Sequence, residues 1–125
     1  MRIIRSTESR RSETPAAVMT TFASPALGGA TAPVWKVEAA AGTAGPLHHI
    51  DTEQVWAVLE GTVAVAVDGG GAELAAGDTV VIAADAARQF TPGPEGFAAI
   101  VTGPAGMQAY MPGKEDAKMT PPWTA

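Results

Sequence analysis

The chain has 125 residues, a formal net charge of −5 and no cysteine. That length makes one domain, residues 1–125, with a proper core, and the missing cysteines exclude disulfides, thiolate chemistry and cysteine-ligated zinc. Arg2, Arg5, Arg10 and Arg11 crowd the start, whereas between Val37 and Gly113 the only lysine or arginine is Arg88; so acidic a body argues against nucleic acid or an anionic membrane as partner.

Residues 1–14 carry arginines with no apolar run behind them, so they read as a basic lead-in rather than a signal peptide. No later apolar run is long enough to span a bilayer as a helix, and a cytoplasmic location is expected. Short β-compatible segments follow: "AVMTTFAS", "APVWKVEAA", "QVWAVLEG", "TVAVAVDGGG", "AELAAGDTVVIAA", "GFAAIVTG" and "MQAYMP". Alanine is plentiful, but glycine and proline interrupt too often for a helix beyond a turn or two. Asp68-Gly69 supplies the positive φ angles of a tight hairpin. Residues 112–125 read as an irregular tail anchored by Trp123. Short strands at this spacing predict an all-β sandwich or closed barrel.

The chemistry concentrates in "GTAGPLHHIDTEQVWAVLEG", residues 42–61, which holds both histidines of the chain. Neighbours on a strand point to opposite faces, so His48 and His49 share one cavity only if the backbone bulges between them. Gly42, His48, Ile50, Gln54 and Gly61 stand at the spacing of glycine, histidine, histidine, acid and glycine in the first cupin motif. The second motif begins at Gly77 as "GDTVVIAADAARQF", with Arg88 at the place of the family's third histidine. The chain therefore resembles a small monodomain cupin, and the resemblance implies an all-β double-stranded β-helix, or jelly-roll, barrel. In this family three histidines and a glutamate hold a divalent metal such as Fe, Mn, Ni or Zn. Here the four places read His48, Ile50, Gln54 and Arg88. A side chain without a donor, a neutral amide and a permanent cation make a poor set of ligands, so no metal cofactor is favoured. His48, His49 and Gln54 are the candidate ligands if a metal is present.

Each candidate has a plainer alternative. His48 is the expected acid or base, against a hydrogen-bonded core histidine. His49 is expected to face outward. Gln54, Trp56 and Val58 alternate onto the inner face of one strand, where Gln54 either binds substrate or satisfies buried backbone, and Trp56 walls the cavity. Trp35 belongs either to the cavity wall or to a dimer interface, and Tyr110 is either packing or a proton donor. Arg88 is expected to turn inward and anchor a substrate carboxylate, phenolate or enolate through its planar fork, against a structural ion pair.

Three classes of function fit these residues. The first is a metal-independent isomerase, dehydratase (a lyase) or cyclase, with His48 and Arg88 acting on a small molecule that has an anionic or enolisable oxygen; the resemblance to small cupins implies a polyketide-cyclase-like role in secondary metabolism. The second is a metal-dependent dioxygenase-like or isomerase-like enzyme, and the third a non-catalytic pocket for a small ligand. A homodimer is expected, joined through the "VMTTFAS" and "APVWKV" strands as cupins commonly are.

Overall fold

In the computed structural model, which describes residues 1–125, every regular element except two 3₁₀ turns is a β-strand. The strands are β1 (Arg10–Glu13), β2 (Val18–Ala23), β3 (Val34–Ala39), β4 (His49–Ile50) and β5 (Gln54–Val67), then β6 (Gly70–Ala75), β7 (Thr79–Ile82), β8 (Arg88–Thr102) and β9 (Ala109–Tyr110). Seven of them form one antiparallel sheet in the order β1-β2-β3-β8-β5-β6, with β7 also paired to β5, while β4 and β9 make a separate two-stranded sheet. This is the expected jelly roll.

Two long strands organise it. "QVWAVLEG" and "TVAVAVDGGG", expected as separate strands, run together as β5 because the chain bends without breaking. Register shifts between Val58 and Glu60 and between Gly61 and Val63 take up the curvature. Gly61 sits at φ 70°, and a Cβ there would strike the carbonyl of Gly96 on β8, so only glycine lets the two strands cross so closely. Beyond the bend β5 pairs with β6, and before it with β7, so a single strand serves both halves of the molecule. Asp68 and Gly69, at φ 48° and 82°, close the β5–β6 hairpin.

The N-terminal end departs from expectation. The basic lead-in contains β1, which pairs with β2 from Arg10↔Thr21 to Glu13↔Val18. The irregular C-terminal segment is held in place: Ala109 bridges Met119, and Thr21 donates to the carbonyl of Trp123 at 2.7 Å. Arg10 reaches both Ser24 Oγ, at 3.0 Å, and the main-chain oxygen of Ala125, at 2.7 Å. Residues outside the obvious strand pattern thus complete one wall of the interior. No helix is long and apolar enough to cross a membrane.

Candidate functional site

Alternation on β2, β3, β5 and β8 turns Met19, Trp35, Val37, Gln54, Trp56 and Phe90 toward one another, and they surround a cavity of about 710 Å³. The 14–17 connection, the Thr43–His48 loop and the segments Ala109–Met111 and Ala117–Trp123 supply the remaining wall. Aspartate, glutamate, lysine and arginine are all missing from that wall. Trp35, only 2% exposed, is therefore wall and not dimer surface. The indole of Trp56 stacks on Phe90 with centroids 4.1 Å apart and planes 23° from parallel, giving the cavity a flat aromatic side.

His48 lies on the wall and its backbone pairs with Arg88 in both directions, N–H to carbonyl at 3.0 and 2.9 Å. Its ring Nδ1 lies 2.9 Å from the Pro46 carbonyl, which can only accept. In the neutral ring the proton therefore sits on Nδ1, and Nε2 keeps its lone pair. Burial pulls the His48 pKa below the ordinary imidazole value; the Pro46 hydrogen bond opposes that, and the charges of Arg88 and His49 reinforce it.

Behind the wall stands a second layer. Gln54, 4% exposed, accepts on Oε1 from the Trp56 indole N–H at 3.1 Å and from Arg88 Nη1 at 3.1 Å, and donates through Nε2 to the Met107 sulfur at 3.2 Å. Two donors converging on one oxygen fix which way the amide points. Arg88 is turned inward as alternation requires and is 0% exposed, but it stops short of the cavity wall. Its other nitrogens are spent as well: Nε donates to the Ala86 carbonyl at 3.0 Å and Nη2 to Ala83 at 3.3 Å. The fork expected to grip a substrate oxygen grips the protein instead. Burial lowers the Arg88 pKa to about 10, although Asp68, Tyr110 and Asp85 favour the cation, so the guanidinium stays charged at neutral pH.

A third cluster lies beside β4 and β9. His49 is absent from the cavity wall; its ring lies flat on Tyr110, centroids 4.7 Å apart and planes 6° from parallel, and its Nδ1 meets the Asp85 carbonyl at 2.8 Å. Tyr110 presents its ring to the cavity while its hydroxyl donates to Asp85 Oδ1 at 2.7 Å. That bond, followed by burial, pushes the phenol pKa up to about 12. Sequence reasoning missed Asp85, whose φ of 63° aims it at Tyr110, and missed Phe90. Phe90 was legible by alternation two residues after Arg88; Asp85 left no signal in the strand pattern.

The side chains at the family's four ligand places do not fit a metal. Ile50 is buried at 3% exposure and has no donor, the Gln54 oxygen already holds two N–H groups, and Arg88 is a cation. His49 does not join His48, and no three histidines, aspartates or glutamates gather where they could hold an ion.

The sequence matches the model of the cupin domain family over residues 34–102, more than half of the chain. No curated protein matches it. Among solved structures, it is similar to the salicylate 1,2-dioxygenase of Pseudoaminobacter salicylatoxidans, in the form with gentisate, with a TM-score of 0.71 and 20% identity over 84% of this chain. It spans only 31% of that dioxygenase. A single-site variant of the oxalate decarboxylase of Bacillus subtilis superposes with the same TM-score of 0.71 at 8% identity, over 78% of this chain and 28% of that one. A putative sugar phosphate isomerase of Acidithiobacillus ferrooxidans gives 0.66 at 19% identity, covering 88% of this chain and 80% of that one. At these identities the likeness is one of fold.

Proposed function

Because the chain belongs to the cupin domain family yet lacks that family's ligand set, we propose that it is a small-molecule enzyme working by metal-free proton transfer, with His48 as the acid and base. One observation carries this reading. Two titratable side chains reach the cavity wall, and only one of them has a position to spare: the Tyr110 proton is committed to Asp85, whereas His48 has its Nδ1 occupied and its Nε2 lone pair left over.

In this reading His48 Nε2 takes a proton from a carbon or hydroxyl next to a substrate carbonyl and later returns it. The nearby Arg88 charge disfavours the imidazolium, so the proton is passed on rather than kept. Arg88 acts at one remove, holding Gln54 and through it the Trp56 indole, and is a positioning residue. Isomerisation, dehydration and aldol-type cyclisation in secondary metabolism all use such a step. Assembly in this reading is a homodimer. The expected strands carry Phe22, 37% exposed, on β2 and Val34 on β3, and from Val34 the register runs on through Thr102 and Val55 to Val81, 61% exposed. Light scattering reporting a monomer at micromolar concentration removes the dimer.

The test uses 1-tetralone, a flat ketone whose α-protons exchange slowly in deuterated buffer. The protein is expected to speed that exchange, His48→Ala to abolish the acceleration, and His49→Ala to leave most of it. No acceleration by the parent protein would overturn the reading. A stoichiometric transition metal that survives dialysis and is lost in His48→Ala would move it to the metal-dependent class.

A further inference from the structure

The cavity walls specify what can occupy them. Apart from Thr43, on the exposed loop before His48, their polar side chains are spent within the protein. Thr14 Oγ1 accepts from the N–H groups of Ala16 and Ala17 and donates to the Ala17 carbonyl, all within 3.3 Å. The Trp56 N–H and Gln54 oxygen are paired, the Gln54 amide hydrogens are turned to Met107, and the Tyr110 hydroxyl is turned to Asp85. With Nδ1 on Pro46, His48 adds a bare nitrogen, and a bare nitrogen is an acceptor. Inside that exposed rim, what remains for a guest is one side-chain acceptor, a slab made of Trp56 and Phe90, and a surround of Met19, Trp35 and Trp123.

Resting on the proton-transfer reading above, we infer that the site takes an uncharged, flat, ring-bearing molecule that donates one hydroxyl hydrogen, phenolic or enolic, to His48 Nε2, and that it rejects a carboxylate at the same place. A carboxylate brings only acceptors to a wall whose free group is an acceptor. It would surrender its water without meeting a cation, because Arg88 is sealed behind Gln54 with its nitrogens on Gln54, Ala86 and Ala83. A phenol or enol loses far less water, lays its ring on the Trp56–Phe90 slab and pairs its hydrogen. The cavity, at about 710 Å³, is roomy enough for several fused rings.

Binding is read from tryptophan quenching at pH 7.5 with three probes of one shape: 2-naphthol, 2-methoxynaphthalene and 2-naphthoate. The naphthol is expected to bind about tenfold tighter than its methyl ether, the scale of a single hydrogen bond, and the naphthoate to bind more weakly than either. His48→Phe, which keeps a flat ring without the nitrogen, is expected to erase the difference between naphthol and ether while still binding both. Equal affinity for naphthol and ether in the parent, tighter binding of the naphthoate, or no binding of any probe at millimolar concentration would each overturn the inference. The tetralone exchange is scored separately, so a protein that shows this selectivity without speeding exchange keeps the ligand class and loses the enzyme.

Discussion

Two polar clusters flank His48, and they are built on opposite terms. Behind it, Arg88 is shut away from solvent among neutral acceptors, with Gln54 as the hub. Beside it, the buried ring of Tyr110 reaches out between half-buried His49 and exposed Asp85, with Lys118 5.1 Å from the Tyr110 ring centre and 3.8 Å from Asp51. Buried groups have no water to fall back on, so each lost partner carries its full desolvation cost; exposed ones trade a partner for solvent. The inner cluster is thus expected to hold the fold and set the electrostatics of His48, and the outer one to matter little.

Arg88→Ala is the hardest blow to this contrast. It strips donors from Gln54, Ala83 and Ala86 and leaves a void where a long side chain was wholly enclosed. A loss of roughly 3–5 kcal/mol is expected in urea unfolding, the range for breaking a buried charged network. Arg88→Lys keeps the charge but not the fork, and should recover only part. A change in either variant below about 1 kcal/mol, the scale of surface contacts, would mean the inner cluster is no more structural than the outer.

Next comes His48→Ala, expected to slow tetralone exchange by at least about a hundredfold, the low end for a general acid or base, with the fold intact. The pH profile should carry the same signature. The working base is the neutral ring, and its pKa is lowered, so activity falls on the acid side with a midpoint below 6.5 and stays flat above it. Stability follows with the same sign. Between the lowered pKa and 6.5 the unfolded chain binds the proton and the folded one does not, so stability declines as pH drops through that window. His48→Ala should flatten both.

Gln54→Glu sharpens the comparison from within. A carboxylate there would face Arg88 and neutralise it, losing the bond to Met107 but keeping an acceptor for Trp56. Because the Arg88 charge is one reason the His48 pKa is lowered, the acid limb of activity should move up in pH. Stability should change by no more than about 1 kcal/mol, as the new ion pair offsets its own burial. An unmoved acid limb would show that Arg88 exerts no field on His48.

The glycine spacing made the fold legible because glycine records backbone shape directly: Gly42, Gly61 and Gly77, all read as motif positions, sit at φ 94°, 70° and 94°. Strand alternation correctly gave the inward side of Gln54, Trp56 and Val58. The same alternation turned Arg88 inward, yet could not say that its fork would end on Gln54 and two carbonyls instead of in the cavity. Alternation fixes a face, not how far along it a long side chain is spent. The pairing of Arg10–Glu13 and the part played by the Ala117–Trp123 segment stayed hidden for a different reason. Both are held by partners distant in sequence, and neither has an apolar period of its own.

The smallest effects belong to the outer cluster, and they test it from the other side. Tyr110→Phe keeps the ring against His49 and the cavity while removing the hydroxyl that donates to Asp85 at 2.7 Å. Asp85 is exposed, so water takes the place of the phenol, and the melting temperature at pH 7 should stay within roughly 3 °C of the parent. The pKa near 12 gives the phenol one visible consequence. Above about pH 10, the ordinary tyrosine pKa, the unfolded chain gives up a proton that the folded one keeps, so stability declines as pH rises toward 12, and Tyr110→Phe should abolish that alkaline decline. Tetralone exchange should be nearly unchanged, as in His49→Ala, because a proton held between Tyr110 and Asp85 is not offered to the cavity. If Tyr110→Phe slowed exchange as severely as His48→Ala, the outer cluster would be a working part of the site, and the proton would travel through Tyr110.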